Sequence, residues 1–302
     1  GDQVTNELTR QLMEAGGFYF LAKDKRGDFM SIEGLQYIGA MGTPGGGKND
    51  VPPRLKSKFL VFNMVPPAMV SVQAIYGQIL KARFTAKQGA KPGPMELSKK
   101  LVPATIAVWS KVKGSLLPTP ARFHYIFNMR ELSRIFQGVM DTPMESLKDE
   151  NSVVSLWRHE VTRVLADKLA RLQDKDFIDK TTTEFMTQHF DEELSSKNMD
   201  TTWWADFQRD AGEDPETGEE MPAPKVYEPI PSLESIRGRA YEYLGKFNEK
   251  FPAKAMALVV FDDAMRHMMR ISRTIQQKRG SAMLAGVGGS GKQSLGRLSA
   301  FT

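Results

Sequence analysis

The chain has 302 residues, 41% of them apolar and 25% charged, which suits a soluble chain of roughly one to three domains with a sizeable core. Its net charge of +5 is modest and spread out, a weak pointer to an acidic partner and nothing more. With no cysteine, disulfides and thiolate zinc sites are excluded, and neither a membrane-length apolar run nor a signal peptide is present.

In chain order, Val4–Glu14 reads as a helix with Leu8 and Leu12 four apart, ended by Gly16 and Gly17. The apolar run Leu35–Met41 reads as a buried strand, followed by the glycine-rich loop Thr43–Asn49 and the segment VPPRLKSKF. Phe59–Val65 reads as a second strand, closed by Pro66 and Pro67. From Ser71 to about Leu172 the pattern is helical. Ser71 is suited to cap a helix with Val72, Ile75 and Ile79 on one face. Asn128–Gln137 turns Leu132, Ile135 and Phe136 inward. Ser152–Leu172 carries Val154, Trp157, Val161, Val164, Leu165 and Leu169 at helical spacing.

The stretch Asp210–Glu220 holds six acidic residues, two glycines and a proline, with no basic residue, so it should be a mobile surface loop and the best domain boundary. Beyond it, Leu233, Ile236, Ala240, Leu244 and Phe247 form one helical stripe, and Met265, Met268, Ile271 and Ile275 another. Ser281–Val287 reads as a strand.

That strand feeds the most specific chemistry in the sequence. Gly286, Gly291 and Lys292 in LAGVGGSGKQSL match the phosphate-loop pattern GxxxxGK. In such a loop the backbone N–H groups of Gly286, Gly288, Gly289, Ser290 and Gly291 curl around nucleotide phosphates, and the lysine reaches the β- and γ-phosphates. Gln293 stands where a Ser or Thr hydroxyl normally meets Mg²⁺, with Ser294 one place late. An acidic pair on a second strand should complete a hydrolytic site. The one candidate, Leu258–Asp263, precedes the loop and reads better as a helix start with Asp262 and Asp263 at its N-terminus.

Other signals are weaker. Thr43–Asn49 is a second glycine turn without a GK[ST] ending. Arg54, Lys56 and Lys58 are either a solvated basic face or an arginine reaching a neighbour's phosphate site. His124, His159, His189 and His267 are scattered, so no metal site is expected. Trp203, Trp204 and Phe207 sit beside the acidic stretch, which would repel a nucleic-acid backbone, so they are expected to pack at a domain junction.

Together, LQYIGAMGTPGGGKNDVPPRLKSKF, LLPTPARFHYIFNMRELSRIFQGV and FDDAMRHMMRISRTIQQKRGSAMLAGVGGSGKQSLGRLSAF resemble dynein heavy chains of the axonemal, outer-arm type over essentially the whole chain. The resemblance implies P-loop AAA+ modules, in part: an α/β class with residues 1–65 ending the third large subdomain, 66–205 its helical lid, and 206–302 opening the fourth module. It implies that Arg54 is the arginine finger toward the preceding module's nucleotide. Arg130 would be the sensor-2 residue, with Arg134 the alternative, and Lys292 the fourth module's phosphate-loop lysine. Gly42 stands where other modules carry a sensor asparagine.

The cofactors implied are ATP or ADP, with Mg²⁺ in the intact protein. The partners are neighbouring AAA+ modules, and microtubules and other dynein subunits through the whole motor; neither nucleic acid nor membrane is among them. The setting implied is the axoneme of a cilium or flagellum, and the activity minus-end-directed movement driven by ATP. On this reading no ATP site within the sequence is whole, and apolar faces are left bare where ring neighbours belong. A non-hydrolysing nucleotide-binding spacer, or a stand-alone P-loop NTPase or kinase, are the alternatives.

Overall fold

The computed structural model describes all residues except 1–2, 43–49, 214–219 and 222. The glycine loop Thr43–Asn49 and the tip of the acidic stretch therefore lie outside the described residues. By compactness the chain divides into Gly1–Pro67 and Ala68–Thr302.

In the first unit, helix α1 (Val4–Ala15) ends at Gly16, whose φ of 69° supplies the left-handed C-cap that its position in the sequence suggested. Strands β1 (Gly17–Tyr19) and β2 (Phe29–Ser31) pair antiparallel. A single helical turn, α2 (Pro53–Lys56), starts on a proline and buries Leu55. The two runs expected as buried strands are neither. Residues 35–41 and 60–65 carry no ladder pairing, and Ile38 is 95% and Leu60 82% exposed. Apolar residues propose a strand, but only a neighbouring backbone makes one, and none pairs with these runs among the described residues.

The second unit is mainly helical: α3 (Met69–Arg83), α4 (Pro92–Ser115), α5 (Met129–Asp141), α6 (Glu150–Leu165), α7 (Leu172–His189), α8 (Glu192–Lys197), α9 (Leu233–Lys250), α10 (Asp262–Gln276) and α11 (Lys292–Phe301). Short antiparallel pairs join β3 (Trp204–Ala205) to β6 (Glu228–Pro229), and β4 (Gly212–Glu213) to β5 (Glu220–Met221).

Helix α5 follows its sequence closely. Asn128 caps it and Glu131 bonds back, forming a capping box, while Leu132, Ile135 and Phe136 are buried. Helix α3 does not: Ser71 is no cap, because the helix starts at Met69. The buried stripe is Val72, Tyr76 and Leu80, with Ile75 and Ile79 turned outward. The long helix expected to reach Leu172 stops at Leu165, and Leu169 is buried in the turn that follows. Val260 is buried while its neighbour Val259 is 79% exposed, and residues 281–287 are exposed and carry no ladder pairing, so the expected strand there does not form either.

Among the described residues two apolar clusters lie in this unit. One gathers α3 to α8 around Trp157, Leu101 and Ile135. The other gathers Ile236, Ala240 and Leu244 of α9 with Met265, Met268 and Met269 of α10 and Leu298 of α11. Trp204 belongs to the first cluster and Phe207 to the second, so these aromatics divide between two clusters of one compact unit.

Candidate functional site

The loop Gly286–Gly291 runs straight into α11. Gly289 and Gly291 have φ of 76° and 73°, left-handed conformations that any other side chain adopts only with strain. These two positions bend the chain so that Lys292 opens the helix. Its ammonium donates to the carbonyls of Gly286 at 2.8 Å and Val287 at 2.5 Å, and to Ser290 Oγ at 3.1 Å. The lysine thus sits inside the curve of its own loop. A Cβ on Gly286 would come within 3.2 Å of Ser290 Oγ and 3.7 Å of the Lys292 ammonium, filling that curve.

Helix α11 has neither a side-chain N-cap nor an acidic residue in its first turn. Its leading N–H groups and the positive end of its dipole therefore face the loop unneutralised. A glycine curve, a lysine and an open helix N-terminus are what a phosphate requires, so the residues present fit a nucleotide's phosphates. Gln293 is exposed and Ser294 half-buried. Among the described residues no cluster of three or more metal-ligating side chains occurs.

The acidic pair does not complete this site. Asp262 and Asp263 lie in the first turn of α10 as the helix-start reading expects. Asp262 is bonded to Arg237, and Asp263 accepts from Arg266 at 2.8 Å.

Helix α11 lies on α10, with Ser299 Oγ donating to the Met268 carbonyl at 3.4 Å. Helix α10 is in turn fixed to α6 by a buried ionic cluster. Arg273 donates to Glu160 Oε1 from Nε at 3.1 Å and from Nη2 at 2.9 Å, and to the Gly138 carbonyl at 2.9 Å. Arg163 donates to Glu160 Oε2 at 2.9 Å. The Glu160 side chain is fully buried, and that of Arg273 is 7% exposed.

Burial alone would raise the Glu160 carboxyl; Arg163 and Arg273 outweigh it and hold it below its ordinary value. Arg273 also lies 3.8 Å from the centre of the Tyr227 ring, and Tyr227 shares a 2.7 Å hydrogen bond with His159 Nε2. Burial pushes His159 down to about 3, so it is neutral. The position at Gly138 must lack a side chain, because a Cβ there would collide with the Glu160 carboxylate. A second pair, Arg270 with Asp167 at 2.8 Å, links the same two helices' surroundings.

None of Gly138, His159, Glu160, Arg163, Tyr227 or Arg273 stands out in the sequence as a site. The one signal was WRHEV at 157–161, three polar residues in succession within an apolar helix.

Arg130 and Arg134 sit one turn apart on α5, both exposed. Arg54 lies in the other compact unit, 68% exposed, with its Nε 3.9 Å from Glu7. Within the second unit the geometry brings Lys292 and the glycine loop together, while Arg130 and Arg134 make no contact with that loop among the described hydrogen bonds and ion pairs.

Three family models match the chain: a P-loop containing dynein motor region at residues 1–67, an AAA+ lid domain at 101–199, and the P-loop containing dynein motor region D4 at 256–302. Among curated proteins, the chain is similar over its whole length to dynein axonemal heavy chain 5 of Rattus norvegicus, at 45% identity and covering 9% of that protein. It is 40% identical to dynein axonemal heavy chain 8 of Homo sapiens and 39% identical to the dynein gamma chain of the flagellar outer arm of Chlamydomonas reinhardtii, covering 7% of each. The chain thus spans under a tenth of the length of these relatives. The matches fall on the glycine loop, the helical lid and the opening segment in one consistent order, and the chain belongs to the dynein heavy-chain family, as part of its AAA+ motor region.

Proposed function

We propose that this region serves an axonemal dynein motor as a nucleotide-responsive segment of its AAA+ ring, joining the lid of the third module, residues 66–205, to the start of the fourth, residues 206–302. The observation that carries the reading is an unbroken mechanical path. The Lys292 loop opens α11, α11 packs on α10, and α10 is pinned through Arg273 to Glu160 of the lid. A packed path of this kind moves as one body, because close-packed interfaces shift between discrete arrangements and do not stretch.

In this role the backbone N–H groups of Gly288–Gly291 and the Lys292 ammonium hold the phosphates of ATP or ADP. Moving from the loop carbonyls to a phosphate, Lys292 exchanges neutral partners for a charged one. Mg²⁺ brought by the nucleotide would neutralise phosphate charge, and would meet the neutral amide oxygen of Gln293 where a hydroxyl is usual. Arg130, leaving the first turn of α5, serves as the sensor-2 arginine toward the third module's γ-phosphate. Arg54 serves as the arginine finger for the nucleotide of the module before it. For such roles the planar, always-charged guanidinium is suited and Lys is not.

The neighbouring AAA+ modules of the same heavy chain are the immediate partners. Microtubules and the other dynein subunits are reached through the whole motor, in the axoneme. ATP-driven movement toward the microtubule minus end is the activity of that whole motor. The test is binding of a fluorescent ATP analogue to the motor region, with Lys292→Ala, Arg130→Ala and Arg54→Ala measured beside it. Loss of one binding site with Lys292→Ala supports the reading; unchanged stoichiometry contradicts it.

A further inference from the structure

The first turn of α5, from which Arg130 departs, is held with more care than a surface helix requires. Lys168, in the turn between α6 and α7, donates to the Ile126 carbonyl at 2.6 Å and to Glu131 Oε1 at 3.2 Å, with its ammonium 4.2 Å from the centre of the Phe127 ring. The other oxygen of Glu131 accepts the Asn128 N–H at 2.9 Å, and Asn128 Oδ1 accepts the Arg130 N–H at 2.9 Å. Trp109 Nε1, from α4, donates to the Asn128 carbonyl at 3.2 Å. Upstream, Tyr125 donates to Asp174 at 2.8 Å.

Glu131 is 9% and Lys168 26% exposed, so this is a mostly buried pair under an exposed arginine. A helix cap alone needs Asn128 and Glu131 only. Lys168 adds a tie from a different part of the lid to both the entering loop and the capping carboxylate. The result fixes the backbone of residues 126–131 as one piece, while the Arg130 guanidinium makes no hydrogen bond or ion pair among the described residues.

We propose that Lys168 and Glu131 are positioning residues for Arg130, setting the angle at which its guanidinium leaves the lid to meet an anionic γ-phosphate. This rests on the sensor-2 reading of Arg130. A small misplacement of a phosphate-contacting group costs far more in function than in stability, because the hydrogen-bond geometry is lost while the packing is kept.

The experiment uses the heavy chain carrying this region and compares wild type, Arg130→Ala, Lys168→Met, their double variant and Lys168→Arg. The readouts are the ATP concentration for half-maximal turnover and the thermal unfolding midpoint. Lys168→Met should raise the half-saturating concentration by roughly threefold to tenfold, in the direction of Arg130→Ala. The double variant should be no worse than Arg130→Ala alone, because Lys168 acts through that arginine. Lys168→Arg, which keeps the charge and both bonds, should restore most of the response. Additive effects in the double variant overturn the proposal, as does a loss that Lys168→Arg shares in full. If Arg130→Ala acts and Lys168→Met does not, the positioning role alone falls. If Arg130→Ala changes nothing, the sensor reading falls and takes this inference with it.

Discussion

Arg273 of α10 and Glu160 of α6 form a doubly hydrogen-bonded ion pair, at 2.9 and 3.1 Å, beneath a surface that exposes neither charge. Arg163 supplies a second cation to the same carboxylate, and Gly138 leaves the space it occupies. The pair joins the helix that leads toward the phosphate loop to the region matched by the AAA+ lid model.

Removing the carboxylate strands two guanidiniums. Glu160→Ala is predicted to destabilise the fold by about 3–5 kcal/mol, the cost of uncompensated buried charge. Gly138→Ala, which drives a methyl group into the carboxylate, should cost about 1–3 kcal/mol by overpacking. Denaturant unfolding of both variants measures these values. A Glu160→Ala variant as stable as wild type would mean that water reaches the cluster.

Acid should weaken the same junction. His159 is held down to about 3 by burial, whereas the unfolded chain takes up that proton near 6.5. Between those values the unfolded state binds more protons, so stability is full above about pH 6.5 and falls as pH drops. Below 4.5 the lowered Glu160 carboxyl adds to the loss, while Asp167, raised by burial, works the other way. His267, also lowered, contributes in the same direction as His159. His159→Gln should therefore reduce, without abolishing, the difference in unfolding free energy between about pH 7.5 and pH 5. An unchanged difference would show that His159 titrates alike in the folded and unfolded chain.

Gln293 makes a prediction about magnesium. Replacing it with Thr restores a hydroxyl to the position where Mg²⁺ is usually met, so Gln293→Thr should increase the gain in ATP affinity that Mg²⁺ gives. Titrations of a fluorescent ATP analogue with and without Mg²⁺ provide the measurement. Equal gains in both proteins would remove Gln293 from the metal's surroundings.

The apolar run near the end of the first unit is open to solvent, with Leu60 82% and Phe62 73% exposed. A hydrophobic dye should bind there. Phe62→Ser should lower that binding while leaving the unfolding free energy within about 0.5 kcal/mol of wild type, since little contact is lost. A large fall in stability would place Phe62 in a core.

These exposed runs mark where the sequence was least legible. Residues 35–41, 59–65 and 281–287 have the composition of buried strands, but burial and pairing come from neighbouring chain, which composition does not contain. What depends on a few adjacent residues was legible. Gly16 ends α1, Leu132, Ile135 and Phe136 turn inward on α5, Asp262 and Asp263 open α10, and Gly291 turns into Lys292. The Arg273–Glu160 pair was invisible because its members are 113 positions apart, and one sequence carries no record of which charges meet. Ser71 misled because a good capping residue was outbid by a helix that starts two residues earlier at Met69.

The Lys292 loop and the lid are expected to respond to nucleotide as one body. Hydrogen–deuterium exchange on the motor region, with and without ATP and Mg²⁺, tests this most directly. Nucleotide should slow exchange in residues 286–295 and also in α10 and the Arg158–Leu165 turns of α6. Lys292→Ala should abolish all of this, and Arg273→Met should keep protection at the loop while losing it in α6. Protection confined to the loop in the wild-type protein, with α6 unchanged, would contradict the account.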